Sequence, residues 1–289
     1  MYFIAREYSP QPTMHDNVEK ILVIGDIHGN YNRVKDLLVN AEIVNTDLNW
    51  TWGKGHLVFL GDIFDRGDDV TSILWLIYSL QQQAKKYGGM VHLLLGNHEV
   101  MIMEGDERYI SDKYIFLTEA LKKSYSLLFG HEYILGRWLR AQNTIIRINR
   151  ILFVHGGISP GFIDKELALS DVNDSVRMYL TSPGPCGPDS LQNFLFGSNG
   201  PFWYRGYIPA YSGSESISEE SVNELLSFYG ADRIIYGHTP GSNFRFSNGN
   251  HLIGIDVSAS YKPDNEQALL ILDGRYYKVY INGTKVPVF

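Results

Sequence analysis

ILVIGDIHGN, residues 21–30, sets a pattern that the chain repeats. Four apolar residues run without a polar break into Gly25, and Asp26 and His28 follow within three positions. A strand with one face in water alternates polar and apolar residues, whereas an uninterrupted apolar run reads as a strand buried on both faces. The pattern returns four times. Leu57-Val58-Phe59-Leu60 runs into Gly61-Asp62, and Leu93-Leu94-Leu95 into Gly96-Asn97-His98. Ile151-Leu152-Phe153-Val154 runs into His155-Gly156-Gly157, and Ile234-Ile235-Tyr236 into Gly237-His238. Each run stops at a glycine beside an Asp, Asn or His.

Helical patterns separate these runs. Residues 32–39 form one; a second follows Asp68-Asp69, with Val70, Ile73, Leu74, Ile77 and Leu80 at helical spacing, an acidic first turn and Gly88-Gly89 as a stop. Residues 112–141 read as largely helical, and Ser218 is a candidate N-cap for a helix carrying Val222, Leu225, Leu226 and Tyr229. Near the end, residues 251–257, 268–272 and 276–281 read as strands, with turns at Asp273-Gly274 and Asn282-Gly283. Alternating strands and helices point to an α/β fold, and the late hairpins point to a mixed second sheet. The turn-rich loops 181–190 (TSPGPCGPDS) and 211–218 read as connections on the surface of one domain covering 1–289, with 1–18 as an N-terminal extension.

Composition narrows the function. The net charge of −7, with no Lys/Arg run, argues against a nucleic-acid partner. No apolar stretch is long enough to span a bilayer and no secretory leader is visible, so the expected location is cytoplasmic. The single Cys186 forms no internal disulfide and lacks the arginine-rich cradle of a cysteine-nucleophile phosphatase.

In open α/β sheets ligands bind outside the carboxyl ends of the strands. There the five run ends would gather Asp26, His28, Asp62, Asn97, His155 and His238, a set of oxygen and nitrogen donors without thiolate. Such a set suits manganese, iron or zinc. Six donors are too many for one ion that must keep an open position. They suffice for two ions roughly 3.5–4 Å apart if a carboxylate bridges them. The neutral Asn97 then has a reason. Two divalent ions, less the charges of Asp26, Asp62 and a bridging hydroxide, leave a positive pocket in an acidic protein, and an aspartate at position 97 would cancel it. The remaining residues fit hydrolysis of a phosphate ester by direct attack of metal-bound hydroxide, without a covalent intermediate. His98 is placed to protonate the leaving oxygen, Asp65 to orient it, and Arg66 and Arg205 to grip phosphate oxygens.

The motifs GDIHGN (25–30), GDIFDRG (61–67), GNHE (96–99), HGG (155–157) and GH (237–238) together resemble the signature of the PPP-type phosphatases of the calcineurin-like metallophosphoesterase superfamily. The resemblance implies a fold of two mixed β-sheets sandwiched between helices in four layers (αββα), with a dinuclear metal site at the strand carboxyl ends. It implies that Asp26, His28 and Asp62 hold the first metal, and that Asp62, Asn97, His155 and His238 hold the second. It also implies that Asp65 and His98 form the acid pair and that Arg66 and Arg205 bind phosphate. GNHEVM followed by EGDERY is similar to the Shewanella-like branch, and residues 256–261 (DVSASY) depart from the eukaryotic SAPNY pattern. The substrate it implies is a phosphorylated protein or small phosphate ester, phosphotyrosine included. A dinucleoside polyphosphate hydrolase is the rival enzyme. A non-catalytic metal-binding scaffold is the third reading, and it is disfavoured because every expected position is filled.

Outside the motifs, His15, His56, His92, His131 and His251 read as surface or core residues, and Glu99 as a loop support. Arg108 and Tyr109 stand near the expected mouth, and Tyr261 either lines the pocket or packs. The aromatic-rich stretch 194–207 (FLFGSNGPFWYRGY) reads either as a stacking wall for a phosphoaryl group or, by default for Phe194, Phe196 and Trp203, as core.

Overall fold

The computed structural model describes residues 8–182, 187, 190–208, 216–257 and 267–289. Cys186 and Tyr261 lie outside them, as do parts of both turn-rich loops.

Two six-stranded mixed sheets face each other. The first runs in the order Lys285–Pro287, Arg275–Tyr280, Gln267–Leu272, Lys20–Ile24, His56–Phe59, Met90–Leu93. The second runs Met14–His15, Ile145–Ile148, Ile151–Val154, Arg233–Tyr236, Leu252–Gly254, Arg245–Ser247. Lys20–Ile24, His56–Phe59 and Met90–Leu93 are parallel in the first, as are Ile151–Val154, Arg233–Tyr236 and Leu252–Gly254 in the second. Parallel neighbours bring their carboxyl ends to one side, and that side holds the motifs.

The absence of alternation in the runs has a direct structural cause. Ile21 and Val23 point between the sheets, where they meet Ile146, Phe153, Ile235 and Ile253. Leu22 and Ile24, from the same strand, point outward onto Val34, Leu37, Ile73 and Ile77 of helices Tyr31–Asn40 and Val70–Lys86. On the far side, Leu152, Val154 and Ile234 pack on Val172, Val176, Val222 and Leu225 of helices Leu169–Thr181 and Glu219–Tyr229. Both faces of the central strands are dry, whereas the edge strands Lys285–Pro287 and Arg245–Ser247 are partly open to solvent. Each fully buried aliphatic side chain contributes about 1.5–3 kcal/mol.

Four expectations need correction. The late hairpins extend the first sheet, through pairing of Gln267–Leu272 with Lys20–Ile24, and do not build the second. Residues 112–141 break into Asp112–Leu121, a 3₁₀ turn at Ser126–Phe129 and Ile134–Arg140, because Lys122 turns left-handed (φ 51°) and Gly130 is extended. The strand expected at 93–95 spans Met90–Leu93, and Leu94 and Leu95 continue past it toward the site. The acids Asp68 and Asp69 precede the first turn of Val70–Lys86 and do not lie in it. Two local readings hold. Ser218 caps Glu219–Tyr229 by accepting from the Ser221 N–H, and Asp273-Gly274 makes its turn with both residues at positive φ. Among the described residues no helix is long and apolar enough to cross a membrane.

Candidate active site

Asp26, His28, Asp62, Asn97 and His238 line one cavity at the strand carboxyl ends, together with Arg66, His98 and Arg205. His155, fully buried, sits against it, with Nε2 3.3 Å from Asp62 Oδ1 and 2.9 Å from Asn97 Oδ1. Asp65 stands behind this lining, with Oδ2 2.5 Å from His98 Nδ1, so the site residues named from sequence are brought to one place.

The loops that carry them are locked to one another. The N–H groups of Ile27 and His28 both donate to the Asp62 carbonyl, and Gly237 N–H donates to the His155 carbonyl. Asp26 Oδ1 accepts from His238 N–H at 3.0 Å, joining the first motif to the last. Glu99 holds the centre. Its carboxylate accepts from the N–H groups of Gly96, Asp62, Ile63 and Phe64 at 2.7–3.3 Å, which is the supporting part expected of it. Loop contact is so close that a Cβ on Gly96 would lie 2.3 Å from Asp62 Oδ1, and one on Gly67 2.3 Å from the His28 carbonyl. His28, Asp62, Asp65, Arg66 and His238 all adopt positive φ, between 48° and 68°. Each such non-glycine residue costs on the order of 1–3 kcal/mol and persists only where its surroundings over-determine it.

Charge and hydrogen bonding define what the cavity accepts. His28 Nδ1 and His155 Nδ1 each lie 2.9 Å from a backbone carbonyl, those of Phe64 and Leu60. A carbonyl only accepts, so both Nδ1 atoms carry the proton and both Nε2 atoms face inward. His155 Nε2 then meets two acceptors, Asn97 Oδ1 and Asp62 Oδ1. His238 Nε2 is buried without a hydrogen-bond partner. Inward-facing lone pairs beside a buried carboxylate are the donor set of a cation site, and the residues fit divalent metal. Among the described residues, two groups of ligand atoms lie close enough to share an ion: those of His28, Asp62 and His98, and those of Asp62, His155 and His238.

The titrations show the same field. Burial would push the His155 imidazole down, but Asp62 and Asp26 reverse it and raise it to about 10. Burial would push the Asp62 carboxyl up, yet His155 and His98 hold it well below the ordinary range. Burial raises Asp26 to about 6 and lowers His28 to about 4. His98 Nδ1 is 2.5 Å from Asp65 Oδ2. Burial opposes its charge, while Asp62 and Asp65 together raise the imidazole above its ordinary value.

Around the mouth the sequence reading needs adjustment. Phe194 and Phe196 pack on Phe162 and Phe202 as core, but Trp203 lines the cavity and stands edge-on to His238, with centroids 5.6 Å apart. Tyr109 also lines the cavity, 5.5 Å from the His98 ring, and its carbonyl accepts from Arg66 N–H. Arg108 is instead tied to Asp106. Asp256, to which sequence reasoning gave no part, lines the cavity at 6% exposure, and burial, then Asp26 and Asp62, push its carboxyl well above the ordinary range. The signal was present: Leu252-Ile253-Gly254 is one more apolar run ending at glycine, with the acid two positions later instead of one.

Residues 19–242 match the family model described as calcineurin-like phosphoesterase. The chain is 30% identical over 260 residues to Shewanella-like protein phosphatase 1 of Plasmodium berghei, covering 85% of this chain and 69% of that one. It is 24% identical over 274 residues to Shewanella-like protein phosphatase 2 of Arabidopsis thaliana, covering 78% and 68%. The crystal structure of the cold-active protein-tyrosine phosphatase of a psychrophilic Shewanella superposes with a TM-score of 0.90 at 38% identity, covering 97% of this chain and 83% of that one. With the two mixed sheets flanked by helices and the Asp/His cavity at their strand ends, these matches show that the chain belongs to the calcineurin-like phosphoesterase family.

Proposed function

We propose that this phosphatase is a two-ion phosphomonoesterase acting on phosphorylated protein residues, phosphotyrosine among them. The observation that carries the reading is the convergence of inward-facing acceptors: His155 Nε2 lies 2.9 Å from Asn97 Oδ1 and 3.3 Å from Asp62 Oδ1, with no proton donor between them when His155 is neutral. Asp26, His28 and Asp62 would hold one ion, and Asp62, Asn97, His155 and His238 the other, each manganese, iron or zinc. When bound, the pair supplies positive charge to the phosphoryl oxygens and lowers the pKa of the attacking water.

The chain's own residues do the rest. Arg66 and Arg205 present guanidinium forks to the non-bridging oxygens and orient the ester. His98, its Nδ1–H held by Asp65, delivers the proton on Nε2 to the leaving oxygen. Asn97 donates a lone pair without adding negative charge, so the cavity keeps its attraction for phosphate. Glu99 acts through the backbone alone, fixing the loops that carry Asp62 and Asn97. Tyr109 and Trp203 put aromatic walls at the mouth, which favours an aryl phosphate. The name of the Shewanella structure, a protein-tyrosine phosphatase, supports the same substrate.

The test is a metal-reconstituted assay across phosphotyrosine peptide, phosphoserine peptide and diadenosine tetraphosphate. Peptide hydrolysis that rises with ion loading to two per chain is the expected result. Faster cleavage of the dinucleotide than of either peptide would overturn the reading.

A further inference from the structure

We infer that Asp256 is an additional carboxylate donor to the ion held by Asp26, His28 and Asp62, an inference that rests on the two-ion reading above. The placement comes from the fold. Strand Leu252–Gly254 lies parallel to Arg233–Tyr236, so the residues that follow the two strands, Asp256 and His238, emerge on the same side. Gly241 N–H donates to the Asp256 carbonyl at 3.0 Å, which ties this loop to the one carrying His238. The backbone beside Asp256 is pressed against the first motif: a Cβ on Gly25 would lie 2.9 Å from the Ile255 carbonyl oxygen and 3.4 Å from Asp256 Cα. Arg33, itself buried, spans the same junction, with Nη1 donating to the Asp26 carbonyl at 2.8 Å and Nη2 to the Val257 carbonyl at 3.5 Å. Asp26 and Asp256 therefore sit side by side in one wall of the cavity, both nearly closed to solvent.

The consequence is an uneven distribution of charge. On the two-ion reading one ion would take Asp26, His28 and Asp256 and the other Asn97, His155 and His238, with Asp62 shared between them. A buried carboxylate needs a cation or several N–H donors. Arg33 supplies a guanidinium behind the loop, and the ion supplies the remainder from in front. Asn97 keeps the opposite half neutral, so the excess positive charge that draws phosphate is concentrated away from Asp256. The anionic half is the harder of the two sites and retains its ion more firmly.

The experiment measures ion binding, not turnover. Chelated protein is titrated calorimetrically with Mn²⁺, and retained metal is counted after desalting, for wild type, Asp256→Asn and Asp256→Glu. Wild type holds two ions. In Asp256→Asn one ion is weakened roughly 10–100-fold, the range for partners of a metal site, while the other is unchanged, and Asp256→Glu recovers part of the loss. The weakening persists when His238→Ala has removed the second half and disappears when His28→Ala has removed the first. If Asp256→Asn fails to fold, Asp256→Ser carries the same titration. Two wild-type affinities in the variant, or equal weakening of both ions, would overturn the inference. Fewer than two ions in wild type would instead overturn the two-ion reading on which it stands.

Discussion

The two ends of the sandwich both bury histidines, and only the carboxyl end raises any of them. At the strand carboxyl ends, His98 and His155 face Asp62 and Asp65, and their imidazoles are raised despite burial. At the amino ends, His15, His56 and His92 pack against each other, with ring centroids 4.9–5.2 Å apart and His92 Nε2 3.1 Å from His56 Nδ1. Here burial, followed by the neighbouring imidazoles, lowers His56 to about 4 and His92 well below its ordinary value. Burial also wins at the carboxyl end for His28, lowered to about 4, and for His238, so what sets that end apart is that carboxylates overcome burial at His98 and His155. The backbone differs in the same way. The carboxyl-end histidines His28 and His238 sit at positive φ, while His56 and His92 lie in regular strands. The carboxyl end carries the conformational cost, whereas a buried ring nitrogen without a partner occurs at both, His238 Nε2 at one and His92 Nδ1 at the other.

The largest effect that tests this contrast is at Asp62, the carboxylate next to His28, His98 and His155. Asp62→Asn keeps the shape and removes the shared negative charge, so ion binding and turnover are lost together. Metal counting beside a phosphatase assay checks it, and two retained ions with normal turnover would break the comparison. His98→Ala comes next. It leaves the ions in place and lowers kcat by roughly 10²–10⁴-fold. The loss is smaller on an ester with a very good leaving group, because such an oxygen departs without a proton, and an equal loss on both esters would remove His98 from the acid role.

The carboxyl end was also the more legible one in sequence. Its residues follow strands that are dry on both faces, so each apolar run announces its own end, and the glycine–acid–histidine spacing reflects loops in which a Cβ on Gly96 or Gly67 has no room. What escaped depends on distant partners. Nothing local in Gln267–Leu272 says that it pairs with Lys20–Ile24, some 250 residues earlier, in preference to joining a new sheet. Residues 112–141 carry helix-forming side chains throughout, and the break at Lys122 is a left-handed residue with no glycine to mark it. Trp203 reads from sequence as core by default or as part of a stacking wall, and only the fold decides between them by turning it toward His238. The amino-end histidines were legible one by one as packing residues, but their mutual contact requires sheet register, since His56 pairs with Met90 and His92 with Val58.

The smallest effect belongs to that amino end. His56 is depressed in the folded protein to about 4, against about 6.5 in an unfolded chain. Between those values the unfolded chain binds the proton that the folded one refuses, so the contribution is complete above about pH 6.5 and is lost as pH falls toward 4. Charged neighbours do not reverse it. Asp16 acts on His15 in the raising direction, but its charge is shared with Arg147, 3.8 Å away, and the groups acting on His56 and His92 are other imidazoles. For His56 alone the span corresponds to on the order of 3 kcal/mol. Metal-free protein unfolded by urea at pH 7.5 and pH 5 should therefore lose stability on acidification, and His56→Gln should lose less between the same two points. Chelation in both samples keeps ion release at the carboxyl end out of the difference. A variant with the wild-type pH dependence would show that the imidazole cluster does not resist protonation, and the two ends of the sandwich would then differ in backbone alone.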